Sequence, residues 1–145
     1  MAVTAFWYGS ANLNAWDKKI DFNTDAIKAA LCTSTYTPAQ DTHDFFNDVT
    51  NEVVGTGYTA GGTTLANCTV GYTAGTNVLK FDADDAVWTT STITARYAVV
   101  YDSTPGTAAT NPLIAYVDFG ADVISTAGTF TIAWDAAGIA TVTVA

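Results

Sequence analysis

Residues 93–101 read ITARYAVVY and residues 113–119 read LIAYVDF. In the first run Ile93, Ala95, Tyr97, Val99 and Tyr101 recur at every second position, with Thr94, Arg96, Ala98 and Val100 between them. Side chains alternate between the two faces of a strand, so this spacing predicts a β-strand whose first set meets a core. The second run sets Leu113, Ala115, Val117 and Phe119 opposite Ile114, Tyr116 and Asp118, predicting a second strand of the same kind. A loop marked by Pro105, Gly106 and Pro112 separates the two.

Outward from this pair the same texture continues. From about residue 68 onward, short β-prone runs are broken by Gly, Asn, Asp, Ser and Pro, the pattern of a mainly antiparallel β-sandwich or barrel. Cys68–Tyr72 and Asn77–Phe81 read as a hairpin around a Gly-containing loop, and a further strand centres on Trp88. The closing run GTFTIAWDAAGIATVTVA places Phe130, Ile132 and Trp134 on one face. It then turns through Asp135–Gly138 into a Thr/Val-rich last strand, predicting a C-terminal hairpin. With little charge and high β propensity, that strand needs pairing within a sheet or cover from another subunit.

The first third is less regular. In DAIKAALCTSTY, Ile27 and Leu31 suit a helical spacing of four as well as an even strand spacing, and the Cys32, Thr33, Thr35 and Tyr36 that follow favour the strand. DTHDFFNDV offers Thr42 as an N-cap and Asp44 in the first turn of a single helical turn that presents Phe45, Phe46 or Val49 to the core. VVGTGYTAGGTTL carries four glycines and reads as an extended arm or wide loop. The expected organisation is one all-β domain over residues 1–145, with at most one or two short helical turns in the first third. It carries an N-terminal arm over about residues 1–20 and an elaborated Gly-rich loop region over about 36–66.

Composition narrows the function classes. With 49% hydrophobic and 13% charged residues the chain can bury a core without disulfide or metal staples. Its apolar runs are far shorter than the roughly 20 residues of a membrane-spanning helix. The N-terminus has no basic stretch ahead of a long apolar run, so an intact chain made in the cytoplasm is expected. Five basic against fourteen acidic residues give a net charge of −9, spread along the chain, which opposes binding to phosphate backbones.

Chemistry is sparse. His43 is the single histidine and sits in DTHDFF without a nucleophile motif, so a surface or capping role is expected rather than a catalytic one. Asp41, His43, Asp44 and Asp48 have cation-binding residue types, but a helix N-terminus enriches the same types. Asp82, Asp84 and Asp85 lack the Gly and distal Glu of a calcium loop and read as an inter-strand turn. GTGYTAGG lacks the Lys-Ser/Thr ending of a phosphate loop. Cys32 and Cys68 are expected as free thiols packed as small apolar groups. No catalytic residue, metal or cofactor is expected. Arg96, the only arginine, pairs with a carboxylate within the fold or across a subunit interface. Phe6, Trp7 and Tyr8 either close one end of the core or lie on a neighbour as apolar anchors, and Val142 and Val144 belong to the last strand, an edge open to subunit pairing.

DAIKAALCTSTYTPAQDTHDFFNDVTNEVVGTGYTAGGTTL (25–65) and STITARYAVVYDSTPGTAATNPLIAYVDFG (91–120) resemble the small structural proteins of tailed-bacteriophage virions, above all the capsid decoration or cement proteins. The resemblance implies a non-enzymatic β-module on the outer surface of the capsid. Its partners would be the major capsid protein and its own copies in a homotrimer, and it would tie neighbouring capsomers together. The acidic surface agrees with the outside of the shell rather than its DNA-facing interior. A tail or baseplate component, and a carbohydrate-binding module that stacks Trp or Tyr on sugars, are the rival classes.

Overall fold

The computed structural model describes residues 2–145. Two antiparallel sheets pack into an all-β fold. The larger has strand order β1-β7-β6-β2-β3, built from β1 (Thr4–Trp7), β2 (Ile27–Cys32), β3 (Thr63–Thr64), β6 (Ala86–Asp102) and β7 (Leu113–Ile132). The smaller has the order β4-β5-β8, from β4 (Thr69–Thr73), β5 (Val78–Asp82) and β8 (Ala140–Thr143). One helix, α1 (Gly9–Trp16), and a 3-10 turn at Phe46–Asp48 complete the regular structure.

β6 and β7 are single strands of 17 and 20 residues. The strand expected at Trp88 and the one at 93–101 are therefore one element, as are those at 113–119 and 128–134 up to Ile132. Bulges stand where the sequence suggested separate strands. Thr90 and Ala127 adopt positive φ (51° and 45°), Gly120 has φ 79°, and the β6–β7 register shifts between Trp88 and Ser91, Ser91 and Ile93, Ala95 and Tyr97, and Val100 and Tyr101. A bulge absorbs an extra residue while pairing resumes on either side, so the strand bends without ending.

The same bulges overturn the expected single core face of ITARYAVVY. Ile93 and Ala95 enter the larger core cluster, but beyond the irregularity its members are Ala98 and Val100, whereas Val99 and Tyr101 join a second cluster. In β7 the shift beside Tyr101 sends Leu113 to the second cluster and Ile114 to the first. An inserted residue flips every side chain beyond it, which strict alternation cannot reveal. The larger cluster joins Ile27, Ala29, Leu31, Ile114 and Phe130 of the large sheet to Phe81 of the small one and to Ile139, just ahead of β8. The second, with Tyr8, Cys32, Tyr36, Val99 and Tyr101, is covered from outside by Phe46 and Val49. Phe46 stacks on Tyr101 with centroids 4.0 Å apart, so the expected helical turn does present an aromatic to the core. It starts at Phe46 rather than after Thr42, because the Asp48 carboxylate accepts the backbone N–H groups of Asp44 and Phe45.

Two further expectations are corrected. The C-terminal hairpin does not form: β7 ends on β6, with Ala86 opposite Ile132, while β8 pairs with β5 in the other sheet. The seven-residue link from Ala133 to Ile139 carries Gly138 at φ 104°, with Ile139 N donating to Phe81 O, so Asp135–Gly138 redirects the chain between sheets. Residues 4–16, within the expected N-terminal arm, are built into the fold. β1 pairs with β7 from Thr4 opposite Asp118 to Trp7 opposite Ala115, and Tyr8 and Ala11 are fully buried. Beyond Asp118, β7 pairs only with β6 among the described residues.

The hairpin expected between residues 68 and 81 does form, as β4 and β5. In the Gly-rich region the Glu52 carboxylate accepts Tyr58 Oη and Gly61 N, both at 2.5 Å, and Tyr58 Oη accepts Leu31 N. This pins the loop onto β2. Gly62 has φ 74°, and a Cβ there would overlap the Ala29 carbonyl, so only glycine allows β3 to meet β2. Gly62→Ala should lower unfolding free energy by about 2–4 kcal/mol. Gly75→Ala, in an open turn, should change it by less than about 0.5 kcal/mol. Urea unfolding of the two variants checks the contrast.

Candidate functional site

The small sheet carries an apolar face that outruns its cover. Its register sets Val70, Phe81 and Ala140 in one rung and Tyr72, Leu79 and Val142 in the next, on the same face because the rungs lie two residues apart. The inner rung is closed by Phe22, whose ring lies 4.6 Å from Phe81, and by Trp7, edge-on to Phe22 at 6.3 Å. The Trp7 indole N–H also donates to Thr141 O at 3.1 Å, tying β1 to the β8 edge. The outer rung is left open: Tyr72 is 55% exposed, Leu79 39%, and Val144 beyond it 53%.

α1 extends this face. Leu13 is 61% and Trp16 87% exposed, while Ala11 and Asn14 point inward. The small inward residues bring the helix close to β7, with Tyr8 N bonded to Ile114 O and Gly9 N to Gln40 O at its start. Its large apolar residues are thus left on the outside. Trp16 and Leu13 line a groove with Val142, and a narrow cleft of about 60 Å³ between Trp16 and Phe22 runs down to Leu79 and Phe81. Lys18 and Asp21 stand at the rim beside Trp16. Single exposed apolar residues are ordinary on a protein surface, but a contiguous set marks a contact face.

Of the residues expected at an interface, the structure brings together Trp7 at the base of this face and Val142 and Val144 on it. Phe6 points to the other side of β1, where it stacks on Tyr116 at 5.2 Å and stays 42% exposed. Tyr8 is fully buried and its hydroxyl bonds that of Tyr36 at 2.8 Å, so it closes the core and offers no surface to a neighbour. Arg96 pairs with Asp118 within the fold, Nε to Oδ1 at 2.6 Å and Nη2 to Oδ2 at 3.3 Å. The guanidinium holds the Asp118 carboxyl below the usual carboxylate range. Sequence reading missed Leu13, Trp16, Tyr72 and Leu79. For the last two the alternation of β4 and β5 was the available signal.

Most of the other candidates are committed locally, while the Asp41 and Asp44 carboxylates show no bond among the described residues. His43 Nδ1 lies 3.1 Å from Tyr36 Oη, at the end of the Tyr8–Tyr36 chain, while Asp48 serves the backbone of Asp44 and Phe45. Asp82 pairs with Lys80 at 2.9 Å, Asp84 accepts the Asn67 amide, and Asp85 accepts Trp134 N. Among the described residues no three His, Cys, Asp or Glu side chains converge as a metal set. Comparisons with protein-family models, with curated proteins and with solved structures found no match.

Both cysteines are free thiols, and they differ in setting. Burial, reinforced by the Glu52 carboxylate, pushes the Cys32 thiol up to about 12, whereas Cys68 is only half-buried and rests against Leu65 O. A thiol-specific reagent at neutral pH should modify Cys68 in the native protein, slowly because burial and the Asp84 carboxylate raise that thiol too, and reach the wholly buried Cys32 only on unfolding. Peptide mapping after timed labelling reads this out.

Proposed function

We propose that this chain is a non-catalytic structural protein of a tailed-phage virion that decorates the outer face of the head. In this reading it joins the major capsid protein through the face built by α1 and the small sheet. The observation that carries the reading is the exposure of Leu13, Trp16 and Leu79 around Val142, extended by Tyr72 across the β4–β5 register. An aromatic side chain offers about 150–250 Å² to a partner, so this face reaches the few hundred Å² at which apolar patches on monomers mark contacts. The resemblance of residues 25–65 and 91–120 to decoration proteins supplies the kind of partner.

Charge supports the outward placement. A chain of net charge −9 is repelled by packaged DNA, and an almost uncharged face lets it approach a protein shell without desolvating many ions. One such face alone gives modest affinity. A homotrimer whose subunits reach different capsomers multiplies it through effective concentration and dissociates slowly. The Trp16 ring, almost entirely exposed, also favours a second reading in which it stacks on a sugar.

The test uses heads stripped of the protein. Purified wild-type chain should rebind at high copy number and raise the temperature at which DNA is released. Leu13→Ala combined with Trp16→Ala should weaken rebinding at least about 30-fold, the ratio for a loss of about 2 kcal/mol at a hot spot. Its melting temperature should stay within about 2 °C of wild type, since both side chains are solvent-facing. Label at the tail tip, or undiminished rebinding by the double variant, would sink the head reading. Glycan binding that disappears with Trp16→Ala, without shell binding, would favour the sugar reading.

A further inference from the structure

The ladder between β6 and β7 runs on past the rest of the large sheet. Among the described residues β2 pairs with β6 only from Tyr97 to Asp102, and β1 with β7 only from Ala115 to Asp118, whereas β6 and β7 stay paired back to Ala86 opposite Ile132. The result is a two-stranded ribbon. Its inner face, with Trp88, Ile93, Phe130 and Ile132, belongs to the larger core cluster, and Trp88 meets Phe130 edge-on at 5.9 Å. Its outer face carries Thr89, Thr92 and Thr94 from β6 and Thr126, Thr129 and Thr131 from β7, all exposed. Val87, opposite Thr131, and Ile124, opposite Thr94, close its two ends at 45% and 66% exposure.

Two properties of this face decide what covers it. The first is charge: residues 87–94 and 124–131 hold no Asp, Glu, Lys, Arg or His, in a chain of net charge −9. Copies of so acidic a chain repel one another, and least where a strip about 23 Å long, at about 3.3 Å per residue, is bare of ions. Where the strip meets the sheet, Arg96 and Asp118 neutralise each other, Nε to Oδ1 at 2.6 Å. A foreign basic partner would be steered to the acids elsewhere, and this face offers it none. The second property is self-complementarity. A face that meets its own copy sets like residues against like, which suits threonine, whose hydroxyl both donates and accepts, and excludes rows of Lys or Glu. All these outer side chains are β-branched, so covering them costs little rotamer freedom.

We propose that copies of this chain associate through the outer faces of their β6–β7 ribbons, packed against one another about a symmetry axis. The association of copies invoked above thereby gains a surface of its own, since shell binding is assigned to α1 and the small sheet. The contact forms in the purified chain whether or not a head is present. A strip of this size falls at the small end of specific interfaces, so the contact is weak and concentration-dependent.

Sedimentation velocity of the purified full chain from about 10 μM to about 1 mM tests it. The average mass should rise with concentration. Thr92→Glu combined with Thr129→Glu sets like charges face to face and should weaken association at least about tenfold. Thr73→Glu combined with Thr76→Glu adds the same charge around the β4–β5 turn and should weaken it less than about twofold. Added NaCl should strengthen the wild-type contact, because it screens repulsion between acidic copies and breaks no ion pair at the face. If the ribbon variant folds poorly, ¹H–¹⁵N shifts of the wild type on dilution read the same contact, and they should gather on residues 87–94 and 124–131. A chain that stays monomeric to about 1 mM, or association untouched by the ribbon variant, overturns the proposal. So does association weakened by salt, or dilution shifts gathered on Leu13, Trp16 and Leu79. None of these outcomes bears on rebinding to heads, which the α1 face decides.

Discussion

The pairing of β6 with β7 is the constraint on which the rest of this fold hangs. β6 and β7 are the two central strands of the large sheet; β1 attaches along the outer side of β7, and β2 along the outer side of β6. Where all four strands run together the sheet is buried on both faces, with Ala98 and Val100 toward one cluster and Val99 and Tyr101 toward the other. Burial on both sides explains why that stretch reads as nearly continuous apolar sequence, AVVY followed across the loop by LIA. Strands of this length would diverge from their partners by twist alone, and bulges let them bend and keep bonding.

How much of this was legible depends on whether the signal was local. The β class, the β4–β5 hairpin, the strand at 27–32 and an aromatic-bearing turn near Phe46 follow from alternation and turn chemistry within a few residues. The bulges were not legible, because a residue such as Thr90 at positive φ is held there by its neighbours rather than by its own preference. The partner of β8 was also hidden. A short link with Gly usually closes a hairpin, and only packing against Phe81 and Lys80 directs residues 133–139 into the second sheet.

The candidate face was half legible for a related reason. Val142 and Val144 were visible as an apolar strand edge, and Trp7 as part of a dense aromatic cluster. Leu13 and Trp16 resist any rule that turns large apolar residues inward, since α1 buries Ala11 and Asn14 instead. Small residues let a helix approach a sheet closely, and the bulky ones then have nowhere to go but out. Tyr8 shows the converse: adjacent to Trp7 in a cluster that invites an interface reading, it is consumed by the hydroxyl chain through Tyr36 to His43.

The outer side of β7 beyond Asp118 exposes Val123 and Ile124 and, among the described residues, has no strand laid against it. Such an edge invites the same edge of another molecule, and crowding many copies together sharpens the danger. The kinks at Gly120 and Ala127 interrupt it on either side of the exposed pair. An approaching strand therefore finds only a few residues in line before the backbone turns away, too few to nucleate a growing fibre. The irregularities that obscure the face pattern of this chain thus also break up an edge that a straight strand would leave open to pairing.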